Sequence, residues 1–348
     1  MVLCIKVPRK NAEKVHEILS NANAFDKNYA TVRENEFVYF ALKRECELPS
    51  FAKLGTKLVQ MPLVQRHTHP NSIYDALVEK FSEEELQQLV SSFDILGDIA
   101  VIEVPEELVK KEKLIADAIL KVHGNVKVVA KKAGATNGEF RIRPVTVLAG
   151  EKRTTTLYRE NGCEFELDIN SVYFSSRLGT ERKRIATLAK NNENVLVLFA
   201  GVGPFAVVIA KQKPDAKITA IELNPQAYEY MKKNIARNKC KNIKAVLGDV
   251  RKILADAKFS KSADRVVMPL PKDAPKFLDV VFPVCKKGAI VHLYAFDLSK
   301  KPFEETEKIL LQEAKKAGRK VEIVNRRIVR PYSPSTVQVV VDFKVLDG

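Results

Sequence analysis

The stretch Val195-Leu-Val-Leu-Phe-Ala-Gly201-Val-Gly203-Pro-Phe-Ala206 reads as a buried strand, a glycine turn and the start of a helix. Gly201 and Gly203 let the backbone turn tightly and approach a ligand closely. Pro204 suits the first helical turn, where its missing N–H costs nothing. Nineteen residues after Gly203, Glu222 ends the next strand, where a carboxylate can accept hydrogen bonds from ribose hydroxyls. Gly248-Asp249-Val250 sets a further carboxylate at the end of a third strand. The pattern Gly201-x-Gly203-x-x-Ala206 followed by an acid also satisfies the dinucleotide fingerprint. S-adenosylmethionine and NAD both carry an adenosine, so this loop admits either, and a plain glycine turn without a ligand also fits.

Outward from this loop, strands are expected at 195–199, 217–222, 244–247, 265–268 and 289–295, with helices at 204–212 and 225–239. That alternation implies a parallel, doubly wound α/β sheet, of Rossmann-like type. The tail differs, because strands at 326–330 and 337–345 joined by a short loop should pair antiparallel. A parallel sheet closed by an antiparallel hairpin is the pattern of nucleotide-type methyltransferases rather than of a plain dehydrogenase half. The fourth strand ends in Met268-Pro269-Leu-Pro271, and each proline fixes its own φ and restricts its predecessor. Amino-methylating enzymes use such a rigid wall to hold a planar base, although prolines also simply end strands.

Upstream lie two smaller α+β units. Strands at 2–8 and 36–42 around a helix at 11–20 make the first, residues 1–60, with Cys46-Glu-Leu-Pro-Ser50 as its exit and 61–70 as an extended connector. The second, 61–170, has helical spacing over 74–90 with Ser82-Glu-Glu-Glu85 shaped like a capping box. A strand at 98–105, a helix at 106–121, a strand at 126–130 and short strands at 138–143 and 155–159 follow. Residues 171–348 form the third unit.

Lys plus Arg number 58 against 43 Asp plus Glu in 348 residues, a net charge of +15. Such a surplus favours a polyanion, nucleic acid above all, over a merely solvated lysine surface. No apolar run approaches the ~20 residues that span a bilayer. The N-terminal apolar stretch is too short for a signal peptide, so a soluble cytoplasmic protein is expected. The five cysteines have no pair closer than 42 residues, which fits neither a disulfide framework nor a zinc site. His67-Thr-His69 before Pro70 reads as a loop, and no metal is expected.

Residues 171–184, Ser-Val-Tyr173-Phe174-Ser175-Ser-Arg177-Leu178-Gly-Thr180-Glu181-Arg182-Lys-Arg184, resemble the signature of the archaeal and eukaryotic tRNA (guanine-37-N1) methyltransferase family. Phe93-Asp-Ile-Leu-Gly-Asp98, Phe140-Arg141-Ile-Arg143, Leu148-Ala-Gly-Glu151, the Gly201–Gly203 turn and the fourth strand also resemble it, in order along nearly the whole chain. The resemblance implies a class I methyltransferase that moves a methyl group from S-adenosyl-L-methionine to N1 of guanine 37. Guanine N1 carries a proton, and its loss pushes charge onto O6, so a base near N1 and a donor near O6 are required. By the resemblance, Glu181 is the base, Arg141 stabilises O6 and Tyr173 lines the pocket. Phe199, Gly201, Gly203, Glu222, Asp249, Met268 and Pro269 would hold the cofactor, and Arg143, Arg177, Pro269 and Pro271 the substrate. The family's usual Asn-Leu-Pro is here Pro269-Leu-Pro271, as in the archaeal branch linked to wyosine formation, whose members also methylate carbon 7 of a tricyclic intermediate. Each role has a plainer counterpart: Glu181 as an ion-pair partner of neighbouring arginines, Arg141 as a phosphate contact. A related aminocarboxypropyl transferase, an NAD-dependent oxidoreductase and a non-catalytic RNA-binding protein are the competing readings.

Nine Lys or Arg in 121–159 and seven in 315–330 form two basic blocks beside the cofactor sheet. They suit an RNA backbone path, with the target base flipped into the site. The expected partner is the anticodon loop of tRNA, with the N-terminal unit at the outer corner and the protein acting as a monomer.

Overall fold

The computed structural model describes residues 1–43, 52–64, 72–89, 92–134, 140, 142 and 144–346. Arg141 and Arg143, Cys46 and the His67-Thr-His69 pair lie outside the described residues. Contacts divide the chain into two compact units, Met1–Ala76 and Leu77–Gly348.

The larger unit is built on seven strands: β1 Asn194–Leu198, β2 Lys217–Glu222, β3 Ile243–Leu247, β4 Ala263–Met268, β5 Cys285–Leu298, β6 Val321–Ser333 and β7 Thr336–Val345. Their order is β3-β2-β1-β4-β5-β7-β6. β3, β2, β1, β4 and β5 run parallel, while β7 is antiparallel to both β5 and β6. β1 is apolar and buried along most of its length, as expected of a strand covered on both faces. The helix Pro204–Gln212, with proline in its first turn, matches the expected bounds and buries every residue from Pro204 to Ala210.

Ahead of this sheet the chain forms a four-stranded sheet from Asp94–Leu96, Ile99–Ile102, Val128–Lys132 and Val145–Gly150, then a hairpin of Thr155–Glu160 and Cys163–Asp168. One face of these strands shares its core with the seven-stranded sheet, while Ala100, Ile102 and Val129 on the other face are buried together with Ile115 and Ile119 of the helix Glu112–Val122. Ile99, Val128, Phe165, Val197, Phe205 and Val340 belong to one continuous apolar cluster. In the smaller unit, Val2–Pro8 pairs with Phe37–Ala41 and Lys57–Met61, and the helix Ala12–Asn21 buries Val15 and Leu19.

Two expectations change. The helical spacing over 74–90 resolves into two short helices, Ile73–Leu77 and Glu83–Gln87. Ser82 is extended, its Oγ accepts from the Glu85 amide and its own N–H donates to the Glu85 carboxylate, so its capping box starts a new helix and breaks the old one. The strand Lys57–Met61 includes the start of the expected connector.

One buried ion pair locks the hairpin to the helix Gly179–Leu188. Arg182 is 2% exposed, donates to both carboxylate oxygens of Glu160 at 2.7 and 2.8 Å and to the Ser175 carbonyl at 2.7 Å. Its guanidinium also stacks over Phe174. Removing one partner leaves the other charge buried and unanswered. Arg182→Met should therefore lower unfolding free energy by about 3 kcal/mol or more in denaturant titration. A loss below about 1 kcal/mol, as for a surface pair, contradicts this.

Candidate active site

Open α/β sheets bind ligands outside the carboxyl ends of their strands, where the strand order reverses. That point here lies between β1 and β4. Immediately after β1, Phe199 adopts φ +54 and its ring meets Phe277 edge-on at 4.8 Å. A bulky residue in the left-handed region is a genuine outlier, and such strain collects at ligand sites. Gly201 and Gly203 follow at φ +57 and +87. A Cβ on Gly203 would stand 2.9 Å from Met231 Cγ, so position 203 excludes any side chain. The helix Pro204–Gln212 begins directly behind the turn and aims its free amides at this edge.

Glu222 ends β2 with its carboxylate already engaged. Gly201 N–H donates to Oε2 at 2.6 Å and Asn224 N–H to Oε1 at 2.8 Å. The acid thus holds the glycine turn in shape, and each oxygen retains a lone pair for a hydroxyl. Burial raises the Glu222 pKa, opposed by the amides of Asn224, Gly201 and Leu223. Asp249 stands at the end of β3, where its Oδ1 accepts from Arg251 N–H at 2.7 Å and caps the helix Val250–Leu254. Met268 is fully buried in the second apolar cluster, which leaves only its backbone to face a ligand. Pro269 and Pro271 are part-exposed on either side of Leu270, whose N–H donates to the Met268 carbonyl at 3.0 Å.

The segment 171–184 lies against this edge. Asn224 Nδ2 donates to the Ser171 carbonyl at 3.1 Å, and a Cβ on Gly201 would come within 3.8 Å of the Tyr173 carbonyl. The Tyr173 side chain is exposed. Arg177 is exposed too, and its Nε donates to Asp94 Oδ1 at 2.9 Å. Glu181 occupies the first turn of the helix Gly179–Leu188, where the helix dipole favours a negative charge. It is 3% exposed. Tyr294 Oη donates to its Oε2 at 3.1 Å and Arg184 Nε at 2.9 Å. The Tyr294 ring in turn packs on Phe205, two residues past Gly203. Structure therefore gathers Phe199, Gly201, Gly203, Glu222, Tyr173 and Glu181 at one sheet edge. Arg177 is instead occupied by Asp94.

Behind Glu181 runs a buried polar chain that sequence reasoning missed. Arg184 Nη1 donates to Asp342 Oδ2 at 2.6 Å, and His292 Nδ1 lies 2.7 Å from Asp342 Oδ1. His292 Nε2 is 2.7 Å from Arg265 Nη1. Arginine has no acceptor, so Nε2 must accept and the ring proton sits on Nδ1, donated to Asp342. Burial lowers the His292 pKa against the pull of Asp342, which keeps the ring neutral. Burial opposes the Asp342 charge, but bonds from His292 and Arg184 outweigh it and lower its pKa. The available signal was polar residues interrupting apolar strands: His292 and Asp342 are direct cross-strand partners on β5 and β7.

Comparison with known proteins agrees with this geometry. Residues 156–324 match the TRM5/TYW2 methyltransferase domain, 73–154 the TYW2 N-terminal domain and 4–49 the tRNA methyltransferase 5 N-terminal domain. The tRNA (guanine(37)-N(1))-methyltransferase Trm5b of Pyrococcus abyssi is 38% identical over 345 residues, 99% of each chain. The chain belongs to the TRM5/TYW2 methyltransferase family. The solved complex of aTrm5 and tRNALeu superposes with a TM-score of 0.82 at 32% identity, covering 98% of this chain and 99% of that one. TYW2 from P. horikoshii in complex with MeSAdo gives 0.68 at 29% identity, over 79% and 98% of the two chains. The cofactor of this family is S-adenosylmethionine, and the side-chain-free glycine turn with an acceptor carboxylate beside it fits that ligand.

Glu222→Gln places an amide NH₂ against one of two backbone donors and should weaken S-adenosylmethionine binding by about tenfold, the scale of one charge-assisted hydrogen bond. In the wild type, ribose binding needs the ionised acid. Because burial raises the Glu222 pKa, affinity should begin to fall at a higher pH than an ordinary glutamate would give. Calorimetry between pH 4 and 8 checks both effects, and a flat profile contradicts the second.

Proposed function

We propose that this protein methylates N1 of guanosine 37 in tRNA, using S-adenosylmethionine. What carries the reading is the buried Glu181 carboxylate beside the glycine turn. Its Oε2 is taken by Arg184 and Tyr294, while Oε1 accepts no hydrogen bond among the described residues and faces the half-exposed Arg327 guanidinium, whose Nε lies 2.8 Å away. A base needs one oxygen fixed and one that can be freed, and this carboxylate has that division. When bound, S-adenosylmethionine supplies an electrophilic methyl group at the carboxyl edge of β1 and β4. Glu181 takes the N1 proton through Oε1, and Arg141 offsets charge building on O6. Tyr173 closes the side of the pocket nearest the glycine turn, and the Pro269–Pro271 wall limits where a flipped base can lie. Arg143 and Arg177 serve the RNA strand, Arg177 by exchanging Asp94 for a phosphate.

The three functional units are 1–60 at the outer corner of tRNA, 61–170 as a basic RNA-binding unit and 171–348 as the methyltransferase, in a protein that acts as a monomer. The basic blocks of 121–159 and 315–330 support the RNA path. No helix among the described residues is long and apolar enough to cross a membrane. A second activity, methylation of carbon 7 of the tricyclic wyosine intermediate, is favoured by Pro269, which cannot offer a guanine edge the side-chain amide of the usual asparagine.

Incubation with labelled S-adenosylmethionine and two tRNAs, one with guanosine 37 and one with the tricyclic base, tests the reading. Mass spectrometry should show a gain of one methyl, whereas the four-carbon aminocarboxypropyl group would identify the sibling reaction instead. Glu181→Gln and Arg141→Ala should each slow single-turnover methylation by ~10²-fold or more, the range of acid–base and electrostatic catalysis. Near-normal rates in both remove these roles.

A further inference from the structure

An acceptor oxygen must be reachable, yet Glu181 Oε1 is buried. Something over it has to move before a base can hand over its proton. Of the three groups against the carboxylate among the described residues, Tyr294 is fully buried. Arg184 is pinned by Asp342, which is itself bonded to His292 and Asn325. Neither can leave without stranding buried polar groups. The third is Arg327 on the outer strand β6: its Nε lies 2.8 Å from Oε1, and its side chain is 48% exposed. The pair is close, but Oε1 accepts no hydrogen bond, so the N–H does not point along the line to the oxygen.

We propose that Arg327 is a removable cap on the catalytic carboxylate, covering Oε1 in the free protein and drawn off by an RNA phosphate as the substrate docks. The proposal rests on the reading of Glu181 as the proton acceptor. A half-exposed ion pair with poor alignment is weak. A guanidinium on phosphate makes parallel, charge-assisted bonds and is the stronger partner. Arg327 stands in a basic stretch of the strand, whose Arg326 is held by Glu307 and Arg330 by Gln338. It alone of the three turns inward to Glu181. In the free protein the cap offsets the buried charge and shields it from solvent. On docking, the phosphate that removes the cap comes with the base that needs the oxygen.

The test is carbodiimide labelling of carboxylates with an added amine, read by mass spectrometry at Glu181, together with kinetics. Free wild type should be protected. Wild type bound to tRNA with an abasic residue at position 37, which supplies phosphates without filling the base pocket, should be labelled several-fold more. Arg327→Ala should be labelled without RNA, and Arg327→Lys should restore protection. The alanine variant should also raise the KM for tRNA by a larger factor than it lowers kcat. Protection of Glu181 in folded Arg327→Ala, or persistent protection of wild type on abasic tRNA, overturns the cap. A near-normal methylation rate for Glu181→Gln overturns the base assignment, a result separate from the labelling pattern.

Discussion

Arg265, 3% exposed in the middle of β4, cannot stay buried without answering groups. Glu193 takes its Nε and Nη2, the Leu188 carbonyl takes Nη2 as well, and His292 takes Nη1. From that requirement the rest of the polar chain follows. His292 is forced to be a donor at Nδ1, Asp342 must be ionised to accept, and Arg184 completes the alternation of charge up to Glu181. Four elements meet through it: β4, β5, β7 and the helix Gly179–Leu188. The position of the Glu181 carboxylate, the proposed base, is thus set from behind by a chain of buried side chains.

The front of the site is set by backbone. The left-handed turn after β1, with Glu222 bonded across it, fixes a surface shaped for an adenosine. The helix carrying Glu181 packs on the helix that begins at Pro204, so the proposed base and the glycine turn share one support. An error in either half would displace the other.

Much of this was legible in the sequence because local chemistry and global fold agree. The run 195–206 carries its own strand, turn and helix start, and the helix ends where its apolar pattern ends. The strand Cys163–Asp168 carries its own signal, since Cys163, Phe165 and Leu167 alternate with polar residues and are the buried face. β6 was read as a short strand because an edge strand with mostly exposed residues and three register shifts leaves no burial pattern. The Ser82 break was hidden by apolar spacing that runs on across it. At the site, glycines and terminal acids announce themselves by position. Buried polar pairs such as Arg182–Glu160 and His292–Asp342 are distant in the chain and become visible only once helix 179–188 is packed on the hairpin and β5 is paired with β7.

The apolar cluster that joins the strands 94–150 to the seven-stranded sheet bears on how such proteins can be recombined. Parts that fold separately can be exchanged among relatives at their linker. Parts that close over the same interior cannot, because each side would present the other with mismatched shapes. A chimaera joined near residue 155, where two family domains abut, would have to bring along the matching interior of both. Across that junction the two sides can only be inherited together.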